Sequence, residues 1–354
     1  MLDALLAGRI DEFQAKRTEL LARGRLDREV VDRLERAVSA DPSLFEVDAK
    51  GFASLSDGDR TFAAGKFEVL SIAELRKRAR PSGRPRLFAL LGADPSTDIG
   101  ALQSTAAPDS LFQVASQFNC LEAPDAMLVP VFRYFRDPTQ GPRASISAFA
   151  GTLLRHYRCP FTQTEQKQIN LLADALPVAV GRVESGYLMT QHIADLTEAA
   201  NALERNFDRI CVGVHEGLEV CFGHQWDGEV LTTSRIAQVF TSTLALGYSE
   251  GSYDAHAAMK ICRQLLRAAY LGTLLGAASL GKRTVVLTLI GGGVFQNSHR
   301  LILEAIEWAL EQVPHSMDVV INCREIDHEV RPALLAATQA RGGRCFEIQN
   351  GQVL

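Results

Sequence analysis

The chain has 354 residues, 47% of them hydrophobic, and its 37 Lys and Arg against 42 Asp and Glu leave a formal charge of -5. That much apolar sequence can bury a large core, which excludes wholesale disorder, and a pI of about 5.9 gives no general basic footprint for nucleic acid. No run approaches the ~20 consecutive apolar residues of a membrane span, and MLDALLAGRIDEFQAKR lacks the basic and apolar regions of a signal peptide.

Seven cysteines without a CxxC pair point to a reducing compartment, so the expected setting is cytoplasmic, or a host's cytosol for a secreted effector. In chain order, the charge-rich start carries helical spacing at Leu26, Val30, Val31, Leu34 and Val38 and predicts a helical N-terminal extension over 1–82. RARPSGRPR, with Pro81, Gly83 and Pro85, breaks the pattern, and a main domain over 83–354 follows. LFALLGA (87–93) reads as a strand and SLFQVASQFN (110–119) as a short apolar segment. PRASISAFAGTLLRHY (142–157) and QHIADLTEAANALERNF (191–207) read as helices. RICVGVHEGLEVCFG (209–223) alternates as a strand, 258–279 is a long apolar helix, RTVVLTLI (283–290) is a buried strand and DVVINCRE (318–325) a last strand. Alternating strands and helices predict a three-layer α/β/α domain with a mixed or parallel sheet, whose ligands bind outside the carboxyl ends of the strands.

Between strand 283–290 and the next helix lie Gly291, Gly292 and Gly293. Missing side chains let a ligand approach the backbone, and free N–H groups there favour an anion. A tight connection without a ligand explains a lone glycine cluster as well. GGGVFQ supplies neither GxxxxGK[ST] nor GxGxxG, so a P-loop kinase and a dinucleotide dehydrogenase both lose support. A second set of polar loops, SQFNCLE (116–122) and DPTQGP (137–142), the latter opening into a small-residue helix, gives the glycines company.

DPSTDIGALQS, SQFNCLE, DPTQGP, AQVFTSTLALGYS and LTLIGGGVFQN occur in the order found in a divergent group of macrodomains typified by the Legionella effector MavL, and the chain resembles that group over about 87–325. The resemblance implies a macrodomain-like ADP-ribosyl hydrolase with no cofactor and no metal, which binds ADP-ribose and removes it from ADP-ribosylated protein at arginine; the alternative is a non-catalytic reader. It places Asp98, with Ile99, at the adenine amino group and Asn119 near the distal ribose. Gln140 and Gly141 fall beside that ribose and the diphosphate. Gly291, Gly292, Gly293, Val294, Phe295 and Asn297 form the second diphosphate loop, with Phe295 against the distal ribose. Two residues depart from the group: Gln296 stands where relatives read glycine, and Arg143 where small residues are usual. The glycine string also resembles SGGVFQN of a carbamoyltransferase family, but no two of the eight histidines are four apart, as that family's metal motif needs. No nucleic-acid or membrane partner is expected.

Cleaving an arginine–ribose bond passes through an oxocarbenium-like sugar and calls for carboxylates. Glu122 and Asp137 fall closest to the loops around the distal ribose, and Glu250 and Asp254 follow AQVFTSTLALGYS; Glu219 and Asp227 are further candidates. A surface salt bridge or helix cap is the bland alternative for each. Cys211, His215, Cys221 and His224 have zinc-like spacing, but strand alternation, with Cys211, Gly213 and His215 on one face and Val212 and Val214 on the other, explains them better. Cys120 has no nucleophile motif around it.

Overall fold

The computed structural model describes residues 1–21, 27–115, 117–223 and 235–354. Its strands are β1 (Glu46–Val47), β2 (Ala53–Asp57), β3 (Arg60–Ser71), β4 (Arg86–Leu91), β5 (Ser110–Ala115), β6 (Cys211–Glu219), β7 (Arg235–Thr241), β8 (Thr284–Thr288), β9 (Asp318–Cys323), β10 (Cys345–Gln349) and β11 (Gln352–Val353). They form one sheet in the order β1-β2-β3-β6-β7-β5-β8-β9-β4-β10-β11. The run β7-β5-β8-β9-β4-β10 is parallel, and the flanking pairs are antiparallel, so the sheet is mixed. The helices are α1 (Leu2–Leu6), α2 (Ile10–Leu21), α3 (Glu29–Ala40), α4 (Ile72–Arg78), α5 (Ile99–Ser104), α6 (Gln140–Ser147), α7 (Phe149–Tyr157), α8 (Leu196–Arg205), α9 (Ala255–Ser279), α10 (His299–Gln312) and α11 (Arg331–Ala340).

Strand β6 shows why the domain has three layers. Gly272 and Gly276 of α9 press against Val212 and Val214, whereas Gly151 of α7 faces His215 and Leu218. Val212 and Val214 therefore meet a helix on one face and His215 meets one on the other, as the expected alternation requires, and a register shift between His215 and Leu218 brings Leu218 to the side of His215. Strand β8 is covered on both sides and buries Val285, Val286 and Leu287 completely or nearly so.

Four expectations need correction. Residues 1–82 are not wholly helical: β1, β2 and β3 lie within them, and β3 pairs with β6 in the main sheet, Lys66 opposite Glu216 through Ser71 opposite Cys211. The signal was a tight turn at Gly58-Asp59, with Gly58 at φ 59°, which the surrounding charge obscured. Strand β9 is not the last, since β10 and β11 follow it. The helix over 142–157 breaks at Ala148 (φ -115°, ψ 54°) into α6 and α7. The helix over 191–207 starts only at Leu196, where the Asp195 carboxylate accepts the Glu198 N–H at 3.0 Å.

The helical parts of the first 82 residues dock in two places. Leu2, Leu5, Phe13 and Leu20 join the main core, and the Arg17 guanidinium meets the buried Asp94 carboxylate through two 3.1 Å contacts. Helix α3 buries Val30, Val31, Leu34 and Val38 in a second cluster with Phe62, Tyr134, Phe149 and Phe222, where Phe62 packs edge-on to Phe149 with centroids 5.0 Å apart.

Candidate active site

The carboxyl ends of β4, β5, β7, β8 and β9 open into the loops 92–98, 117–123, 242–249, 289–298 and 324–330, which form one rim. On it the glycine turn is held at both ends. The fully buried Tyr270 hydroxyl donates to the Thr288 carbonyl at 2.9 Å and accepts the Ile290 N–H at 3.1 Å. The Asn297 N–H donates to the Gly291 carbonyl at 2.8 Å, and its side-chain amide donates to the Leu244 carbonyl at 3.0 Å. Gly291 sits at φ 72°, and a methyl group there would lie 2.5 Å from the Asn297 amide nitrogen and 2.7 Å from Thr243. A methyl group on Gly292 would strike the His299 ring at 2.7 Å, so this glycine serves packing. Gly293 faces open space, and Val294 is 61% exposed. Among the described residues no acceptor is found for the amides of Gly293, Val294 and Phe295. Gln296, unassigned by sequence, has φ 56°, the left-handed conformation in which glycine is strain-free.

Phe295 stands edge-on to Tyr187 and Tyr248, at 6.0 and 5.6 Å between centroids, and the two tyrosines are 5.8 Å apart. The charges of Glu122 and Asp137 both act on this wall. Burial pushes both tyrosine hydroxyls above their usual range, and the charges of Glu122 and Asp137 push them further. The Gln117 amide donates to the Tyr187 hydroxyl at 2.7 Å and to the Ala123 carbonyl at 2.7 Å. Asp137 accepts the Thr139 N–H at 2.8 Å and ends the 3-10 turn Val131–Arg136. A cleft of about 310 Å³ adjoins it, lined by Pro124, Asp125, Val129, Arg133 and Arg136.

Beneath the 117–122 loop lies a fully buried arginine that sequence reasoning missed. Arg155 donates to the Cys120 carbonyl at 3.0 Å and to Thr152 at 3.1 Å, and stands 2.9 Å from His215 Nδ1. His215 Nε2 lies 2.7 Å from the Ala64 carbonyl, so Nε2 carries the proton and Nδ1 accepts. Burial and the Arg155 charge hold His215 neutral, while burial lowers Arg155 itself to about 10.

The other candidates separate. Asp98 is buried at the start of α5, where its carboxylate accepts the Gly100 N–H at 3.0 Å and pairs with Arg143. The Gln140 amide accepts the Ile99 N–H at 2.8 Å and donates to Asp98 at 3.2 Å. Gly141 follows it in the first turn of α6. Asn119 is fully buried; its amide donates to Gln168 at 3.0 Å and accepts the Leu121 N–H at 3.0 Å, which makes it a brace of its loop. Asp254 caps α9, accepting from His256 and Ala257 at 2.9 and 3.1 Å, as the bland reading held. Glu250 is exposed beside Asp254 in a separate cleft of about 320 Å³ with Thr190 and Asp195. Glu219 accepts the Ala63 N–H at 2.8 Å and serves the sheet. Asp227 and His224 lie outside the described residues. Among the described residues no group of three His, Cys, Asp or Glu could hold a metal, and no helix is long and apolar enough to cross a membrane.

Tyr187 escaped notice because it lies in the irregular stretch 158–195, which shows no periodicity. Tyr248 stood in a quoted motif and had a signal, an exposed aromatic in a loop after a buried strand.

No protein-family profile and no curated protein matches the chain. Solved structures do. The chain is similar to poly(ADP-ribose) glycohydrolase from Thermomonospora curvata at 13% identity and a TM-score of 0.44, over 87% of this chain and 98% of that one. It is also similar to poly(ADP-ribose) glycohydrolase from Deinococcus radiodurans in complex with ADP-ribose, at 14% identity and a TM-score of 0.45, over 78% of this chain and 93% of that one.

Proposed function

We propose that the chain is a hydrolase that binds ADP-ribose and removes it from modified protein, with arginine as the modified residue. The observation that carries this reading is the Tyr187–Tyr248–Phe295 wall, on which the charges of Glu122 and Asp137 both act, beside the open amides of Gly293, Val294 and Phe295. Those amides suit a diphosphate. The aromatic wall gives a ribose an apolar face, and two carboxylates suit a sugar that becomes cationic as its bond to nitrogen breaks.

In this mechanism water attacks the ribose C1 as the C1–N bond breaks. One carboxylate takes the water proton, the guanidine nitrogen takes up the bonding pair and leaves as neutral guanidine, which gains that proton from the carboxylic acid to become the guanidinium, and the second carboxylate stabilises the developing positive charge. Seven free thiols are consistent with action in a reducing compartment such as the cytosol. The test is release of ADP-ribose from an arginine-ADP-ribosylated protein by the full chain, against a Glu122→Gln, Asp137→Asn double variant. Release that the double variant lacks supports the reading. ADP-ribose binding with no release makes the protein a reader, and absence of both defeats either.

A further inference from the structure

Glu35, on α3, is a buried carboxylate far from Asp137 in sequence, and its contacts all lead toward the candidate site. It is 4% exposed, and it accepts the Val131 N–H at 2.5 Å, the Phe132 N–H at 2.8 Å and the Tyr157 hydroxyl at 2.7 Å. Val131 and Phe132 open the 3-10 turn that Asp137 closes, and the Asp137 N–H donates to the Tyr134 carbonyl at 3.1 Å. Tyr134 in the middle of that turn is fully buried, and Phe132 and Phe135 pack edge-on at 5.7 Å. A short turn pinned at its first amides and wedged at its centre has little freedom left at its last residue.

We infer that Glu35 is a positioning residue which, by holding the amides of Val131 and Phe132, sets the place of the Asp137 carboxylate on the aromatic wall, so that the N-terminal segment is part of the active site's frame. Burying a carboxylate is unfavourable, and burial raises the Glu35 pKa despite its three donors. An apolar residue would fill α3's face as well as its neighbours Val31 and Leu34 do, without that penalty. A carboxylate is required where two adjacent amides must be held at once, because each oxygen takes one.

The inference rests on the proposed function only in giving Asp137 chemical work. Its test uses Glu35→Gln in the full chain, because glutamine keeps the shape but turns an N–H group toward one of the two amides. For arginine-ADP-ribosylated protein, kcat is expected to fall by about tenfold or more with KM within about twofold. The amides of Val131, Phe132 and Thr139 are expected to exchange hydrogen faster. Tyr157→Phe, which spares both backbone bonds, is expected to keep kcat within about twofold, and Glu35→Asp to recover part of the loss. Unchanged kcat in the glutamine variant overturns the inference, as does an equal loss in kcat, KM and thermal stability. If the unmodified chain releases no ADP-ribose, the functional reading falls alone, and exchange decides the rest: protection at Thr139 unchanged by Glu35→Gln overturns the positioning role.

Discussion

Asn297 closes the glycine turn onto Gly291 and, through its side-chain amide, fastens the turn to Leu244 on the neighbouring loop. Asn297→Ala removes the second of these bonds and leaves the Leu244 carbonyl only its 3.1 Å bond from the Leu246 N–H. The expected result is a loss of about 1 kcal/mol in stability and weaker ADP-ribose binding, read by denaturant melting and calorimetry. Binding as tight as in the unmodified chain would separate the turn from the ligand.

At the next position the sign reverses. Gln296 holds a left-handed conformation that is unfavourable for a residue with a side chain by about 1 kcal/mol. Gln296→Gly is expected to relieve the strain, offset in part by the unfolded chain's added freedom, and to leave stability within about 1 kcal/mol of the parent with ADP-ribose binding retained. Gly291→Ala, facing 2.5 Å and 2.7 Å contacts, is expected to lose binding. Equal tolerance at both positions would show that the turn's shape does not matter.

Glu122→Gln and Asp137→Asn are each expected to lower kcat by about a hundredfold or more, with melting temperatures near the parent's, if each has its own task in moving the proton and holding charge. One carboxylate dispensable to within twofold in a full kinetic series would leave the other to act alone.

Acid is expected to destabilise the fold through its buried histidines. His156 is held down to about 4 by burial, and burial with the Arg155 charge lowers His215 well below its ordinary value. The unfolded chain takes up these protons near pH 6.5 and the fold refuses them. Stability is therefore complete above about pH 6.5 and falls as pH drops toward about 4, by up to about 1.4 kcal/mol per unit for each histidine. His156→Gln is expected to flatten urea midpoints measured between pH 4 and 7, and an unchanged slope would remove His156 from the account.

Three strands of the parallel part, Thr284–Thr288, Asp318–Cys323 and Arg86–Leu91, were legible because each carries an unbroken apolar stretch, Val285 to Leu287, Val319 to Ile321 and Leu87 to Leu91, which burial on both faces demands. The parallel strands β7 and β10 were not read. Strands β2 and β3 were less legible: they sit beside charged helices, and Lys66 and Glu68 interrupt the apolar pattern of an element whose partner lies much later in the chain. The glycine turn was legible from loop chemistry, since three adjacent glycines mark a tight connection after a buried strand. Tyr187, Arg155 and Glu35 were not, since each acquires its task from tertiary neighbours that no local spacing encodes. The reach of Gln140 back to Asp98 is of the same kind.

The pairing of β3 with β6 also bears on how the chain is made. Ribosomal synthesis delivers Lys66 long before Glu216, so β3 emerges with one edge paired to β2 and the other waiting. Closing that loop carries a large entropy cost before its contacts form, which places the joining of β3 to β6 late in folding. The candidate site is thus completed only after β6 and the glycine turn have been made, and a nascent fragment ending before residue 211 carries Tyr187 with its later neighbours Tyr248 and Phe295 still to come.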